Sequence, residues 1–157
     1  MRMKLINAFA LLIFLESALA TDVPDFSENP CKNGMTEAEC LNATVTNSAL
    51  LCEMYARISF MEGELGEKSL SHIYQGIHEC ASRATKVVSK NARTVLELFS
   101  KNKEVINAVK ELRVAHKLFV QGLAPESEET EAAYYSRISR LNESMDAKKT
   151  FFELSAE

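Results

Sequence analysis

The amino-acid sequence predicts an all-α fold, a disulfide-stapled bundle of four to five main helices. No proline occurs between Cys31 and Ala124, so no residue in that interval is incompatible with a helix interior. Apolar residues recur there mainly at intervals of three and four, the period of a helix with one buried face. Four of the five glycines stand at the ends of these periodic segments: Gly34, Gly63, Gly66 and Gly122.

The first twenty residues, 1–20, have the pattern of a secretory signal peptide. Arg2 and Lys4 precede an apolar run over residues 5–15, and the small residues of a cleavage site follow at 18–20. That run is shorter than the ~20 residues that cross a bilayer, and no other stretch is as continuously apolar. The sequence therefore predicts a secreted, extracellular protein without a membrane span.

The secreted part, residues 21–157, is predicted to form one helical domain that begins with an irregular arm over residues 21–35. The segment "TEAE" that follows matches a capping box, in which Thr36 accepts from the backbone amide of Glu39 and Glu39 reaches back. This first helix is predicted to be short and to end at a break over residues 44–47.

The second helix is predicted from Asn47 or Ser48 to Gly63, with an apolar face made of Leu51, Met54, Tyr55, Ile58 and Met61. The third helix is predicted from about Ser69 to about Ser89, with an apolar stripe made of Leu70, Ile73, Ile77, Cys80, Ala84 and Val87. Gly76 lies inside that stripe. Since glycine costs a helix about 1 kcal/mol relative to alanine, its presence predicts a close approach between helices.

A long fourth helical region is predicted over residues 92–121, ended by Gly122, and the polar run at 100–103 could divide it in two. Pro125 is predicted to open the last helix, whose first turns are rich in glutamate, as the helix dipole favours. The apolar seam of that helix is interrupted by Lys148 and consists of Tyr134, Ile138, Leu141, Met145 and Phe152.

The chain has four cysteines: Cys31, Cys40, Cys52 and Cys80. An even number of cysteines in a secreted chain predicts disulfides, because the compartment is oxidising. A structural zinc site is disfavoured, since the spacing C-x8-C-x11-C-x27-C has no close pair and no histidine lies near the first two cysteines.

The pairing of the cysteines follows from the predicted hairpin. Residues 63–66 join the second and third helices, which should therefore run antiparallel. Cys52 and Cys80 are equally far from the centre of that turn and should lie level with each other, so we expect a Cys52–Cys80 disulfide. Cys31–Cys40 would then tie the arm to the first helix; Cys31–Cys80 with Cys40–Cys52 is the alternative.

No residue pattern indicates catalysis, a metal site or a cofactor. His72 and His78 are six positions apart on one predicted helix and point in different directions. His116 lies on an apolar stripe, where a hydrogen-bonded, partly buried histidine is the simpler interpretation. The chain lacks a nucleophile elbow, a glycine-rich phosphate loop and an HExxH motif. We therefore expect no enzyme activity.

Charge is distributed unevenly along the chain. Without the predicted signal peptide, 16 basic and 21 acidic residues give a net charge of −5, which argues against nucleic acid as a partner. Residues 81–120 instead carry nine basic and three acidic residues, a net charge of +6. A solvated helix face would explain this, but the pattern also predicts a partner-binding basic face for an acidic protein or a sulfated polysaccharide: Lys86, Lys90, Arg93, Lys110, Arg113 and Lys117.

Two acceptor sequons begin at Asn42 and Asn142. In a secreted protein they predict exposed positions that can be glycosylated.

The leader, the four-cysteine spacing and the segments "NPCKNGMTEAEC", "SALLCEMYARISF" and "IHECASRATKVV" carry a resemblance to a known family. In this layout the chain resembles the anophensin and albicin family of anopheline mosquito salivary proteins. The resemblance implies a salivary protein that impairs haemostasis during blood feeding, as an anticoagulant or a complement inhibitor. Its targets would be the alternative complement pathway convertase or the contact system that activates kallikrein, bound stoichiometrically without catalysis.

A different class, the small hydrophobic-ligand carriers of odorant-binding type, is also secreted, helical and disulfide-bonded. The three-residue spacing usual between two of their central cysteines is absent here. A carrier also needs a closed apolar cavity, whereas an inhibitor needs only a surface. A structural or reproductive secreted protein is a third class, on which no residue pattern bears.

Overall fold

The computed structural model describes residues 22–26, 31 and 33–157. The predicted signal peptide and residues 21, 27–30 and 32 of the arm therefore lie outside the described residues, while residues 22–26 are in no helix or strand. The described part contains four helices and no strand, which confirms the all-α prediction: α1 (Glu37–Glu64), α2 (Leu70–Leu98), α3 (Lys103–Gly122) and α4 (Glu131–Ala156).

The helices form a bundle in which each packs against the next along the chain and α4 returns to α1. Short connections join them, as in up-and-down bundles. The core lies between all four helices, and α1 and α3 also meet across it. Its largest fully buried apolar side chains are Phe119, Phe152, Leu41, Ile73, Ile77, Leu112, Leu123, Val45, Val88 and Val95.

A polar side chain caps the N-terminus of every described helix. Thr36 and Glu39 form the predicted capping box: the Thr36 hydroxyl accepts from the Glu39 amide at 3.2 Å, and Glu39 accepts from the Thr36 amide at 2.7 Å. At α2, α3 and α4 the side chains of Ser69, Asn102 and Thr130 accept from backbone amides of the first turn. Such caps satisfy backbone donors that the first turn leaves unpaired.

The predicted break at residues 44–47 is wrong, because α1 runs through it without interruption. Thr44 Oγ1 donates to the carbonyl of Cys40 at 2.8 Å, and Ser48 Oγ donates to the carbonyl of Thr44 at 2.7 Å. These hydroxyls therefore bond within the helix and are buried, instead of drawing the backbone out of it.

The predicted apolar face of this helix is also wrong. Of its five residues only Tyr55 is buried; Met54 and Met61 are 48% and 58% exposed. The face that packs inward is made of small and polar residues as well as large ones: Leu41, Thr44, Val45, Ser48, Ala49, Cys52, Tyr55, Ala56, Ser59 and Glu62. Small side chains let neighbouring helices approach closely, and a hydrophobicity pattern does not register that.

The third predicted helix is longer than expected, since α2 continues past Ser89 to Leu98. Its predicted stripe is mostly confirmed, although Leu70 is exposed. The polar run at 100–103 does divide the fourth region: Asn102 accepts from the amides of Glu104 and Val105 and starts α3 there. Residues 92–98 thus belong to α2.

The last helix begins at Glu131, not at Pro125. Thr130 caps it, and the preceding glutamates form a turn that Arg137 holds. Arg137 donates to both carboxylate oxygens of Glu129, at 2.8 and 2.6 Å, and to the carbonyl of Gly122 at 2.5 Å. The predicted seam is confirmed, with Ile138, Met145 and Phe152 buried and its other two members half-buried.

Gly76 marks the predicted close approach. A Cβ atom at this position would overlap the hydroxyl of Tyr55 and lie 2.9 Å from its Cζ, and Tyr55 is only 3% exposed. We expect Gly76→Ala to lower the free energy of unfolding by about 1–3 kcal/mol, because the buried ring must move. Urea denaturation measures this change in the free energy of unfolding.

Gln75→Ala is the control for that substitution, since residue 75 is exposed on the same helical turn. It should leave stability unchanged or slightly raised. Tyr55→Phe removes the overlapping hydroxyl and should reduce the cost of Gly76→Ala. A Gly76→Ala variant as stable as the wild type would show that Tyr55 yields without penalty.

Candidate functional site

Both predicted disulfides form, and the alternative pairing does not. Cys52–Cys80 joins α1 to α2 inside the core, with Cα atoms 5.7 Å apart and both residues at most 1% exposed. Cys31–Cys40 ties the arm to the first turn of α1, with Cα atoms 4.8 Å apart. Together they hold the surface of the bundle on a rigid frame.

Two clefts follow the line where α2 and α3 meet. The first, of about 250 Å³, is lined by Thr85, Val88, Ser89, Lys110, Arg113, Val114, His116 and Lys117. The second, of about 300 Å³, is lined by His78, Ala81, Ser82, Thr85, Lys86, Ser89 and Gln121. Thr85 and Ser89 line both clefts, so the two clefts adjoin. We call these two clefts together the basic groove, after their four cationic residues, Lys86, Lys110, Arg113 and Lys117.

The basic groove carries positive charge that no ion pair among the described residues offsets. No carboxylate lines either of its two clefts. None of its four cationic residues forms an ion pair with a described carboxylate, whereas Arg57, Lys68, Arg83, Arg137, Lys148 and Lys149 all do. Unpaired cations facing solvent attract an anionic partner.

The structure therefore brings together four of the six residues of the predicted basic face. Lys90 and Arg93 are exposed on α2 but do not line the groove. Thr85 and Ser89 line the α2 wall of the groove and were not identified from the sequence. The two residues are one helical turn apart and flank Lys86, and this repeat of small hydroxyl side chains is the signal that could have identified them.

Arg113 differs from the lysines of the groove because it is held in place. It is half-buried, and its Nη2 atom donates across the groove to Ser89 Oγ at 3.2 Å. Its Nε atom is buried and has no hydrogen-bond partner among the described residues. A guanidinium has five N–H donors, so most of its capacity is unused by these residues.

His116 lies on the wall of the first cleft and is 0% exposed. Its Nε2 atom is 2.9 Å from Ser48 Oγ. Because the Ser48 hydroxyl donates to the carbonyl of Thr44, its oxygen accepts from His116 Nε2–H. The other ring nitrogen, Nδ1, is then an acceptor, and it has no partner in the described part. The predicted histidine is thus fully buried and only half satisfied.

Burial also controls the charge of His116. Removing the ring from water penalises the imidazolium and lowers the pKa of His116 from 6.5 to about 4. At neutral pH the ring is uncharged, so it adds no positive charge to the groove.

His72 and His78 are exposed, and His78 lines the second cleft. Among the residues that the structure describes, no group of three or more His, Cys, Asp and Glu side chains could hold a metal ion. None of the four helices in that part of the chain combines the length and the apolar character that crossing a bilayer requires.

The two sequons differ in their surroundings. Asn142 is exposed on α4. Asn42 is half-buried within α1 and donates to Glu153 of α4, so the expectation that both are exposed is wrong for Asn42. Glycosylation stays a prediction at both positions.

The basic groove is the site at which the described residues combine a cleft, uncompensated charge and unpaired polar atoms.

No protein-family model matches the chain, and comparisons with curated proteins and with solved structures find no similar protein.

Proposed function

We propose that the protein is a secreted, non-catalytic inhibitor that binds a host plasma protein complex through the basic groove. The observation that carries this proposal is the uncompensated charge of Lys86, Lys110, Arg113 and Lys117 on one face of an otherwise acidic chain. By the family resemblance, the partner is the alternative complement pathway convertase or a factor of the contact-kallikrein system.

The charge of the groove suits an acidic partner. Complementary potentials accelerate the encounter of two proteins and fix their relative orientation. At physiological ionic strength the Debye length is about 8 Å, so only partner charges that come close to the groove contribute strongly. Salt should therefore slow association more than it speeds dissociation.

The frame of the bundle supports a binding function. The Cys52–Cys80 disulfide and the α1–α2 packing fix one wall of the groove, and Arg113 bridges to the other. A surface that is already rigid loses little conformational freedom when it binds, which favours affinity.

A carrier of small hydrophobic ligands is the competing class. The clefts of the basic groove carry lysine and arginine on their walls, and a charged lining suits an anionic ligand better than an apolar one. The basic groove therefore supports this class less than it supports the inhibitor.

The test of the proposal is a charge reversal at three exposed residues of the groove: Lys86→Glu, Lys110→Glu and Lys117→Glu. A pull-down from host plasma first identifies the component that the wild-type protein retains. We expect the rate at which the variant associates with that component to fall at least tenfold, and the salt dependence of that rate to weaken. Surface plasmon resonance measures both quantities. Arg113 is left unchanged because it is half-buried.

The matched control reverses three exposed basic residues outside the groove, Lys101, Lys103 and Arg140, so that the net charge of the two variants is the same. Circular dichroism checks that both variants are folded. Equal effects of the two triplets would mean that net charge, not the groove, steers binding. Uptake of a small hydrophobic ligand with no plasma protein retained would favour the carrier.

A further inference from the structure

We propose that the first cleft of the basic groove is a pocket for one carboxylate side chain of an acidic peptide segment in the partner protein. This inference rests on the proposed function and names the part of the partner that the groove recognises. Two features of the cleft carry it: a fixed guanidinium without a carboxylate, and apolar walls.

The fixed guanidinium supplies the anion contact. Ser89 holds Arg113 through one N–H, and Arg113 has no ion pair among the described residues. A carboxylate accepts two parallel N–H bonds from a guanidinium, which gives such contacts both strength and direction. Lys110 and Lys117 lie three positions before and four positions after Arg113, on the same face of α3, and add to the attraction.

The walls of the cleft favour a side chain over a sugar. Val88 stands on the α2 side and Val114 on the α3 side. Their methyl groups can contact the CH₂ groups of a glutamate or aspartate, whereas a sulfated saccharide carries polar groups on most of its atoms.

The experiment follows the side-chain Nε–H signal of Arg113 and the ring nitrogens of His116 by NMR in the ¹⁵N-labelled full secreted chain. The probe is an end-blocked hexaglutamate peptide, and hexaglutamine is the uncharged control. We expect hexaglutamate to shift both residues and hexaglutamine to shift neither. Arg113→Lys keeps the charge but removes the fork of N–H donors, so it should weaken hexaglutamate binding at least tenfold.

Arg93→Lys is the matched control, because Arg93 is exposed on α2 and does not line the cleft; it should leave binding unchanged. Ser89→Ala frees Arg113 without altering charge and should weaken binding several-fold, which keeps the test valid if Arg113→Lys fails to fold. Equal hexaglutamate binding by wild type and Arg113→Lys would overturn the pocket.

A heparin-derived hexasaccharide provides the second arm. If it binds while hexaglutamate does not, and the Arg113 Nε–H signal stays in place, the groove is a polysaccharide surface and the pocket is wrong. Retention of the plasma protein by Arg113→Lys would then leave the proposed function intact. Conversely, hexaglutamate binding without any retained plasma protein would support the pocket and refute the proposed function.

Discussion

Replacing both Cys52 and Cys80 with alanine is expected to lower the free energy of unfolding by about 3–4 kcal/mol. The disulfide joins positions 28 residues apart, so its loss frees a long loop in the unfolded chain. Both residues also lie in the core between α1 and α2, where alanine leaves part of their volume empty. Chemical denaturation followed by circular dichroism measures the change.

The other disulfide provides the comparison. Cys31–Cys40 closes a loop of only 9 residues and lies at the edge of the bundle, so replacing both with alanine should cost less, about 2–3 kcal/mol. A larger loss from the Cys31–Cys40 variant would mean that the arm contributes more to the fold than its contacts indicate. Those contacts include Val23 and Phe26, which pack against the core, and Arg83, which donates to the carbonyl of Val23.

The disulfide pairing and the helix caps could be predicted because they depend on local rules. A hairpin around residues 63–66 places Cys52 and Cys80 level with each other whatever the helices do elsewhere. The capping box at Thr36 needs only residues three positions apart. In both cases the sequence separation or the symmetry of one turn determines the geometry.

The face of α1 could not be predicted because its burial depends on tertiary packing. Met54 and Met61 form a regular apolar stripe, yet they face solvent, while Ser48 faces the core. Ser48 is buried because it bonds to His116 of α3, a residue 68 positions away. No pattern in the sequence near Ser48 predicts that His116 is its hydrogen-bond partner.

The basic groove was predicted only in part for a related reason. The sequence places three basic residues on a face of α2 and three on a face of α3, but the rotation of each helix decides which of them meet. The contact between Arg113 and Ser89 shows the actual register. That register admits Lys86 to the groove and leaves Lys90 and Arg93 outside it.

Acid should destabilise the fold through His116. The pKa of His116 is about 4 in the folded protein, against 6.5 when unfolded, so between these values the unfolded chain binds a proton that the folded one does not. Titration of His116 therefore does not change the free energy of unfolding above pH 6.5, and it lowers that free energy as the pH drops toward 4. The shift corresponds to a loss of about 3 kcal/mol when complete.

Carboxylates also lose favourable interactions in acid, Glu129 among them, since its hydrogen bonds with Arg137 lower its pKa to about 2. The measurement is therefore the difference in unfolding free energy between the wild type and His116→Gln, determined by urea denaturation at pH 7 and pH 4. Glutamine can donate to Ser48 but does not titrate. Both proteins have the same carboxylates, so the effect of acid on the carboxylates cancels in the difference. The difference should shift by about 3 kcal/mol in favour of His116→Gln at pH 4. A difference that is the same at both pH values would mean that His116 reaches water or an anion in the groove and titrates normally.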